Sequence, residues 1–257
     1  MIAEASGLAG RAVPRVVVIG TLDTKKEECT FASDCLRRLG CRAIIMDTGI
    51  FSEATADVSA SSVAEASGHT LLDLRQDGDR GMAVRAMAEG AATLLARLQE
   101  GGEVDAVLSL GGSGGTFIGT AAMRALPFGV TKVMLSTVAS GDVGFYVMQS
   151  DITMMYSVAD IAGLNQLSRR VIANAAAAIA GMAREARNPW DRQNGKGAVA
   201  MTMFGITTPA VTLARRRRRL KATRSWCFTP TVREDALWSH SSQTERSMLC
   251  STSRQPN

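Results

Sequence analysis

Short apolar runs alternate with amphipathic segments along the first half of the chain. Residues 15–20 form a continuous, largely β-branched run of the kind that fills a buried parallel strand. A helix is predicted from about residue 24 to residue 39, with Thr24 and Glu27 at the spacing of a capping box. Residues 41–47 are predicted to form a second strand. This pattern indicates a βαβ unit with parallel strands and a right-handed crossover.

The same alternation continues to about residue 136. A Ser/Ala-rich stretch (52–70) with room for one short helix is followed by a predicted helix (79–100) and a third strand (104–110). A glycine-rich loop (111–116), a helix (116–126) and a fourth strand (132–136) come next. Strands that alternate with helices at this rhythm are typical of layered α/β proteins. We therefore expect an α/β fold with a Rossmann-like, doubly wound parallel sheet.

The pattern divides the chain into five parts. A leader of residues 1–14 precedes a nucleotide-binding α/β subdomain over residues 15–162. An Ala-rich helix within residues 163–190 is interpreted as a connection to a second subdomain. Residues 191–214 begin that second α/β subdomain. It is predicted to be incomplete, because residues 215–257 lose helix and strand periodicity soon after a run of five arginines.

The tail accounts for the basic character of the chain. The net charge is +5, yet residues 215–257 carry ten Lys/Arg and three Asp/Glu, a net of +7, so the preceding residues carry −2. We interpret the tail as frameshifted and disordered, because its codons, read in another frame with synonymous choices allowed, give pieces of an α/β fold. The alternative is a disordered basic interaction tail. A specific nucleic-acid partner is not expected from the slightly acidic body.

Several features of the sequence lead us to expect a cytoplasmic protein. No apolar run reaches the length of about eighteen residues that a transmembrane helix needs. The N-terminus has no basic segment followed by an apolar one, so a secretory signal is not expected. The five cysteines include no CxxC pair, and Cys29, Cys35 and Cys41 are interpreted as small buried residues.

A glycine-rich loop after the third strand is the strongest candidate site. Glycines let the backbone approach a phosphate, and the N-terminus of the following helix favours an anion. The loop is neither a Walker A sequence nor a strict GxGxxG motif, and a structural strand-to-helix turn is the alternative. We predict phosphate or nucleotide binding by Gly111, Gly112, Ser113, Gly114, Gly115 and Thr116.

A second loop follows the first strand, at the same edge of the predicted sheet. Ligands of open α/β folds bind at this carboxyl edge. Lys25 is a candidate for a phosphate charge partner, and Asp23 for magnesium or a ribose hydroxyl. The alternative is a helix start with solvated charges. The binding residues predicted here are Gly20, Thr21, Asp23, Thr24 and Lys25.

Two more strand ends carry polar side chains. Asp47 ends the second strand, a position from which dinucleotide folds read a ribose, although a structural role is equally expected. The loop after the fourth strand adds hydroxyl groups and a carboxylate through Ser136, Thr137, Ser140, Gly141 and Asp142. Asp151 and Asp160 are further candidate ligands, for which capping or surface roles are as well supported.

No catalytic constellation can be assembled from the sequence. His69 and His240 have no partner residues nearby in the sequence, and no Ser-His-Asp, Cys-His or metal-ligand pattern is present. The sequence therefore supports binding better than turnover. The second hypothesis is an ATP-dependent enzyme acting on a small metabolite, whose catalytic residues would lie in the second subdomain.

Several blocks together resemble one known family. It is the family of the ATP-binding inhibitory domain found in a plant tobamovirus-resistance protein, which is shared with many uncharacterised bacterial proteins. The tail re-read in the other frame contains F-H-A-N-G-T-G-G-R-T-M, which continues the same resemblance. The matching blocks are residues 16–31 (VVVIGTLDTKKEECTF), 110–116, 136–142 (STVASGD), 151–163 (DITMMYSVADIAG), 174–182 and 205–209 (GITTP).

The resemblance covers about residues 15–212 and carries expectations of its own. It implies two α/β subdomains, with ATP and Mg²⁺ held by the first, and a homo-oligomer, a dimer, for the full-length protein. It also implies that this chain is about half of a longer protein. Val143 to Tyr146 depart from the family pattern, so the contacts of the preceding loop are less firmly implied.

Overall fold

The computed structural model describes residues 13–186, 198–202, 206–220 and 224–228. The chain divides into two compact units, residues 1–188 and residues 189–257. The elements of the first unit are β1 (Arg15–Gly20), α1 (Leu22–Arg38), β2 (Arg42–Asp47), α2 (Ala60–Ala66), α3 (Leu71–Gln76), α4 (Arg80–Glu100), β3 (Ala106–Gly111), α5 (Ser113–Arg124), β4 (Thr131–Ser136), α6 (Gly144–Val147), β5 (Thr153–Tyr156) and α7 (Gln166–Ala186).

The first unit is built on one five-stranded sheet. Its strand order is β2-β1-β3-β4-β5, and every neighbouring pair is parallel. Val18 in the centre of β1 pairs with Ile45 of β2 and with Leu108 of β3. Strands β3 and β4 are buried along their whole length, including the polar residues Ser109 and Lys132, as expected of strands covered on both faces. The predicted parallel α/β fold is confirmed.

Helices cover both faces of the sheet. Because side chains alternate along a strand, Val16 and Val18 point to one face and Val17 and Ile19 to the other. Helices α1 and α7 pack on the first face, and α2, α4 and α5 pack on the second. The helix that follows β1 therefore packs on one face of the sheet, and the helix that follows the neighbouring strand β3 packs on the other. This point between two neighbouring strands is where open α/β sheets form a crevice.

Helix α7, within the segment predicted to connect two subdomains, packs in the core of the first unit. Ile172, Ala176 and Ile179 of this helix are at most 1% exposed and belong to the core that includes β1, β3 and β4. The Ala-rich stripe recurs at helical spacing and has small side chains, which lets the helix lie close to the sheet. Within its described residues, α7 is a core layer of the first unit.

Some boundaries differ from the sequence prediction. Helix α1 begins at Leu22, and its N-cap Thr21 makes no side-chain capping bond, so the capping box expected from Thr24 is not formed. Helix α5 begins at Ser113, inside the glycine-rich loop. The short elements α3, α6 and β5 were not predicted as elements, because each spans too few residues to show a hydrophobic period.

The second unit contains a βαβ arrangement of its own. Strands β6 (Ala198–Thr202) and β7 (Arg224–Phe228) are parallel and are joined through α8 (Thr208–Leu220). The strand predicted near residue 198 is present. The structure differs from the predicted disorder at residues 215–220 and 224–228, which belong to α8 and β7. Arginine favours helix and aromatic residues favour strand, which accounts for both elements. Residues 229–257 lie outside the described part.

Two general features of the chain bear on the sequence prediction. Cys29, Cys35 and Cys41 are buried and form no disulfide among the described residues, which confirms their interpretation as small core residues. Burial raises the pKa of the Cys29 thiol far above its ordinary value, so this side chain stays protonated. None of the helices in the described ranges is long and apolar enough to cross a bilayer.

Candidate functional site

A cavity of about 540 Å³ opens at the carboxyl edge of the sheet, beside the crevice between β1 and β3. Helices α1, α4 and α5 all direct their N-termini to this edge, because each runs antiparallel to the strands it flanks. The volume lies within the range typical of small-molecule sites. The lining residues are Thr21, Asp23, Thr24, Lys25, Thr48, Gly49, Ile50, Phe51, Leu74, Arg75, Gly78, Asp79, Arg80, Ala83, Val84, Met87, Gly112, Ser113, Gly114, Gly115 and Ile118.

The glycine-rich loop forms one wall of this cavity. Gly112 is the N-cap of α5 and has no side chain with which to cap it, so Ser113, Gly114 and Gly115 make up an uncapped first turn. The first amides of an α-helix have no partner within the helix and carry the positive end of its dipole. The first turn of α5 therefore lines the cavity with backbone amides whose geometry is able to hold an anion.

The glycines of the loop differ in what they do. A Cβ atom at Gly111 would lie 2.9 Å from the Cα atom of Gly115, so the turn itself requires this close approach. A Cβ atom at Gly114 would meet nothing closer than Val84 Cγ2 at 3.9 Å. None of the glycines from 111 to 115 has a positive φ. Left-handed backbone geometry is thus not the reason for glycine in this loop.

The loop after β1 contributes a second wall. Thr21, Thr24 and Lys25 line the cavity, and the hydroxyl oxygens of the two threonines lie 3.0 Å apart. Lys25 interrupts the regular helical geometry of α1, with φ −129° and ψ 23°. Gly20 is instead a packing residue beneath the helix, since a Cβ atom there would lie 2.3 Å from Cys29 Sγ.

Asp23 fastens the neighbouring loop after β2. Its Oδ2 accepts a hydrogen bond of 3.2 Å from the backbone N–H of Phe51. Its carboxylate also lies over Gly49, where a Cβ atom would come within 2.7 Å of it. Asp23 therefore lines the cavity and also holds the chain segment that forms the cavity's rim.

Asp47 is buried and does not line the cavity. It is 1% exposed, and its Oδ1 accepts hydrogen bonds from the N–H groups of Leu22 (3.0 Å) and Gly49 (2.9 Å). Its Oδ2 has no hydrogen-bond partner within the described residues. Burial raises the pKa of this carboxyl group. The structure gives Asp47 a role in holding the loops after β1 and β2 rather than the predicted ribose contact.

The polar loop after β4 adjoins the glycine-rich loop without lining the cavity. Ser136 is buried, with its Oγ 2.6 Å from Thr116 Oγ1 and accepting from the N–H of Val138 at 3.1 Å. Thr137 donates its N–H to the carbonyl oxygen of Gly111 at 3.3 Å. Thr116 and Ser136 are thus structural links between the loops after β3 and β4.

The rest of that loop is exposed and turns away into α6. Asp142 Oδ1 accepts a hydrogen bond from the N–H of Gly144 at 2.8 Å, which places it at the start of this short helix. Ser140 and Gly141 are exposed and do not line the cavity. The prediction that these three residues join the glycine-rich loop in one site is not met by the described geometry. Asp151 also has another role, accepting from buried Lys132 at 2.5 Å.

Sequence reasoning missed the third wall. Arg75 of α3, Asp79 and Arg80 at the start of α4, and the segment from Thr48 to Phe51 all line the cavity. The one local signal was Asp79, a residue type favoured at helix N-caps, at the first position of the helix predicted over residues 79–100. The others come from segments whose positions depend on how the chain between β2 and β3 folds back over the sheet.

Asp79 makes the start of α4 different from the start of α5. Its Oδ1 accepts from the N–H groups of Gly81 (2.7 Å) and Met82 (3.1 Å). The amides of Met82 and Gly81 lower the pKa of Asp79, so the carboxylate stays charged. The start of α4 therefore carries its own anion, whereas the start of α5 has only glycines and Ser113.

Cationic side chains outnumber acidic ones around the cavity. Lys25, Arg75 and Arg80 face two carboxylates, those of Asp23 and Asp79. No group of three or more His, Cys, Asp or Glu side chains in the described ranges is arranged to hold a metal ion. Mg²⁺ in nucleotide sites takes only one or two carboxylates, with phosphate and water as its other ligands. Asp23, with Oδ1 outside any hydrogen bond among the described residues, fits such a role.

The chain is similar in sequence to bacterial and plant proteins. The UPF0261 protein of Clostridium tetani is 42% identical over 203 residues, covering 78% of this chain and 50% of the relative. A UPF0261 protein of Rhizobium meliloti is 45% identical over 199 residues, covering 77% of this chain and 48% of the relative. The ToMV resistance protein Tm-1(GCR237) of Solanum lycopersicum is 34% identical over 229 residues, covering 79% of this chain and 30% of that protein.

The chain spans about half the length of the bacterial relatives it matches. Among solved structures, DJ-1beta of Drosophila melanogaster covers 68% of this chain and 96% of its own, at 13% identity and a TM-score of 0.31. A similarity of that size carries no functional information. Residues 14–188 match the model described as "Uncharacterised protein family (UPF0261) N-terminal domain". The chain belongs to this UPF0261 family, and its first unit corresponds to the family's N-terminal domain.

Proposed function

We propose that the first unit binds ATP, with the phosphate groups held at the N-terminus of α5. The observation that supports this most is the uncapped first turn of α5, which lines a cavity also lined by three cationic side chains. Backbone amides at a helix start bind phosphate through hydrogen bonds and through the helix dipole. The start of α4 carries Asp79 as its own cap, so α5 is the helix at which an anion is favoured.

Lys25 and Arg80 supply the charge in this proposal. Lys25 is half-buried at the start of α1 and lines the cavity together with Gly112–Gly115. A charge-assisted hydrogen bond to phosphate is about twice as strong as a neutral one. Mg²⁺, when bound with ATP, neutralises phosphate charge, and Asp23 is the residue of this chain that would hold it.

An ATP-dependent enzyme that acts on a small metabolite is the second candidate. The chain spans about half the length of its bacterial relatives, so a second domain of such proteins would supply residues across the nucleotide. Steady-state ATP hydrolysis by a full-length relative, with and without candidate metabolites, distinguishes turnover from binding. A homo-oligomer of the full-length protein is part of the same proposal and is tested by its mass in solution.

Calorimetric titration with ATP and with adenosine tests the binding site. Gly114→Val adds a side chain where bound phosphate would lie, so we expect it to lose most of the ATP affinity. Ser113→Ala removes about one hydrogen bond and should weaken ATP binding by roughly 1 kcal/mol. Lys25→Ala should weaken ATP binding more than adenosine binding, because its charge acts on phosphate.

Two control variants make the same kinds of change at residues that do not line the cavity. Lys26→Ala removes the same charge one residue further along α1, and Ser140→Ala removes an exposed hydroxyl from the loop after β4. Both should bind ATP as the native protein does. A folded Gly114→Val protein with native ATP affinity would refute the phosphate site, and equal effects of Lys25→Ala and Lys26→Ala would refute the role of Lys25.

A further inference from the structure

The cavity has an apolar side that phosphate binding does not use. It is lined by Leu74, Met87 and Ile118, which are buried in the core between the sheet and helices α2, α4 and α5. Val84, which is partly buried, lines it as well. Phe51 lies at the rim of the same cavity with 64% of its surface exposed. An aromatic ring of this size is costly to leave in water, at about 25 cal/mol per Å² of apolar surface. A ligand that covers the ring would remove this cost.

Phe51 is held in place by contacts on two sides of its loop. Its backbone N–H donates to Asp23 Oδ2 at 3.2 Å, and the carbonyl oxygen of Ile50 accepts from Arg75 Nε at 2.5 Å. The guanidinium carbon of Arg75 lies 5.8 Å from the centroid of the Phe51 ring. These contacts hold the backbone of the segment and place the Arg75 guanidinium at the ring, which stays exposed. A fixed aromatic surface loses little conformational entropy when a planar ligand stacks on it.

We propose that Phe51, with the Arg75 guanidinium beside it, stacks against the base of the bound nucleotide; this inference rests on the proposed ATP site. The phosphate end lies at Gly112–Gly115 and the stacking end at Phe51, and both line one cavity. Every base has a π face, so stacking selects for an aromatic ring and discriminates weakly among bases. ATP and GTP are therefore both expected ligands, and the base adds affinity beyond that of the phosphates.

The experiment compares ATP with inorganic tripolyphosphate, which carries the phosphates without a base. Both are titrated calorimetrically into the native protein, Phe51→Ala, Phe51→Trp and Phe128→Ala. Phe128 is an exposed aromatic residue (48%) outside the cavity and serves as the matched control. Phe51→Ala should weaken ATP about 10-fold or more, the loss expected for one stacked base, and leave tripolyphosphate unchanged.

The Trp variant gives a second readout. Phe51→Trp should keep the ATP affinity, and its added indole fluorescence should change on addition of ATP but not of tripolyphosphate. If Phe51→Ala binds both ligands as the native protein does, or loses both equally, the stacking role is overturned while the phosphate site stands. If the native protein binds neither ligand, the proposed ATP site itself fails. A loss in Phe128→Ala equal to that in Phe51→Ala would also overturn the assignment.

Discussion

Gly111 and Gly115 approach each other so closely that a Cβ atom at Gly111 would lie 2.9 Å from the Cα atom of Gly115. This contact closes the turn between β3 and α5 and places the first turn of α5 at the cavity. Gly111 therefore has to be glycine for the loop to form, whereas a Cβ atom at Gly115 would meet only the carbonyl oxygen of Leu110 at 3.6 Å. Gly114, whose position is open, is available to a ligand.

The first prediction separates these two roles by stability. Gly111→Ala should lower the free energy of unfolding by about 1–3 kcal/mol, because the added methyl group overpacks backbone that cannot move aside. Gly114→Ala should leave stability unchanged or raise it by up to about 1 kcal/mol, since alanine restricts the unfolded chain. Urea denaturation measures both. Equal destabilisation by the two substitutions would contradict the structural assignment.

The second prediction concerns the buried carboxyl group of Asp47. Asp47→Ala leaves the N–H groups of Leu22 and Gly49 without their acceptor, which should cost about 2–5 kcal/mol in stability. Asp47→Asn keeps an oxygen for both donors and should cost less. Chemical denaturation of the three proteins at neutral pH tests this order, and a reversed order would exclude the bridging role.

The same group sets a pH dependence. The pKa of Asp47 is raised by burial, so the native protein binds this proton more tightly than the unfolded chain does. Its contribution to stability therefore falls as the pH rises from the ordinary aspartate pKa through the raised one. Asp47→Asn lacks this ionisation, so its stability relative to the native protein should improve between acid and neutral pH. A constant difference across that range would contradict the assignment.

The third prediction concerns the helix cap at Asp79. The amides of Met82 and Gly81 lower its pKa, so its stabilising effect is complete above the ordinary aspartate pKa and is lost as the pH falls through the lowered one. Asp79→Ala should lower the Tm at neutral pH, and the difference from the native protein should shrink in strong acid. Asp79→Asn, which also caps helices, should change the Tm less. Thermal unfolding followed by circular dichroism at several pH values measures this.

The fourth prediction concerns the ion pair between β4 and the segment before β5. The side chain of Lys132 is fully buried, and Asp151, 38% exposed, lies 2.5 Å away. Asp151→Ala leaves a buried ammonium group without its carboxylate, which should cost about 2 kcal/mol, less than a fully buried pair because water reaches Asp151. Lys132→Met removes the buried charge itself and should be tolerated better. Greater damage from Lys132→Met would show that the pair is net stabilising.

Several parts of this protein follow from its sequence. Strands that are buried on both faces are rich in apolar residues, so the runs Val16–Ile19 and Ala106–Leu108 predict the positions of β1 and β3. A glycine-rich segment directly after such a strand predicts a close turn at the carboxyl edge. These are local properties of the chain, and the parallel α/β fold and the loop at Gly111–Gly115 could be predicted from them.

Other parts were decided only by the tertiary structure. Asp47 and Ser136 stand at the carboxyl ends of strands, the same edge of the sheet at which the glycine-rich loop begins. Both side chains are nevertheless buried and bonded to neighbouring loops. Arg75, Arg80 and Phe51 reach the cavity because α3 and α4 fold back over one face of the sheet. The sequence alone indicates the longer strands and helices, since periodicity is local, but not the short elements α3, α6 and β5. Which side chains share one cavity depends on the order in which strands pair and the face each helix covers, and these are contacts between distant parts of the chain.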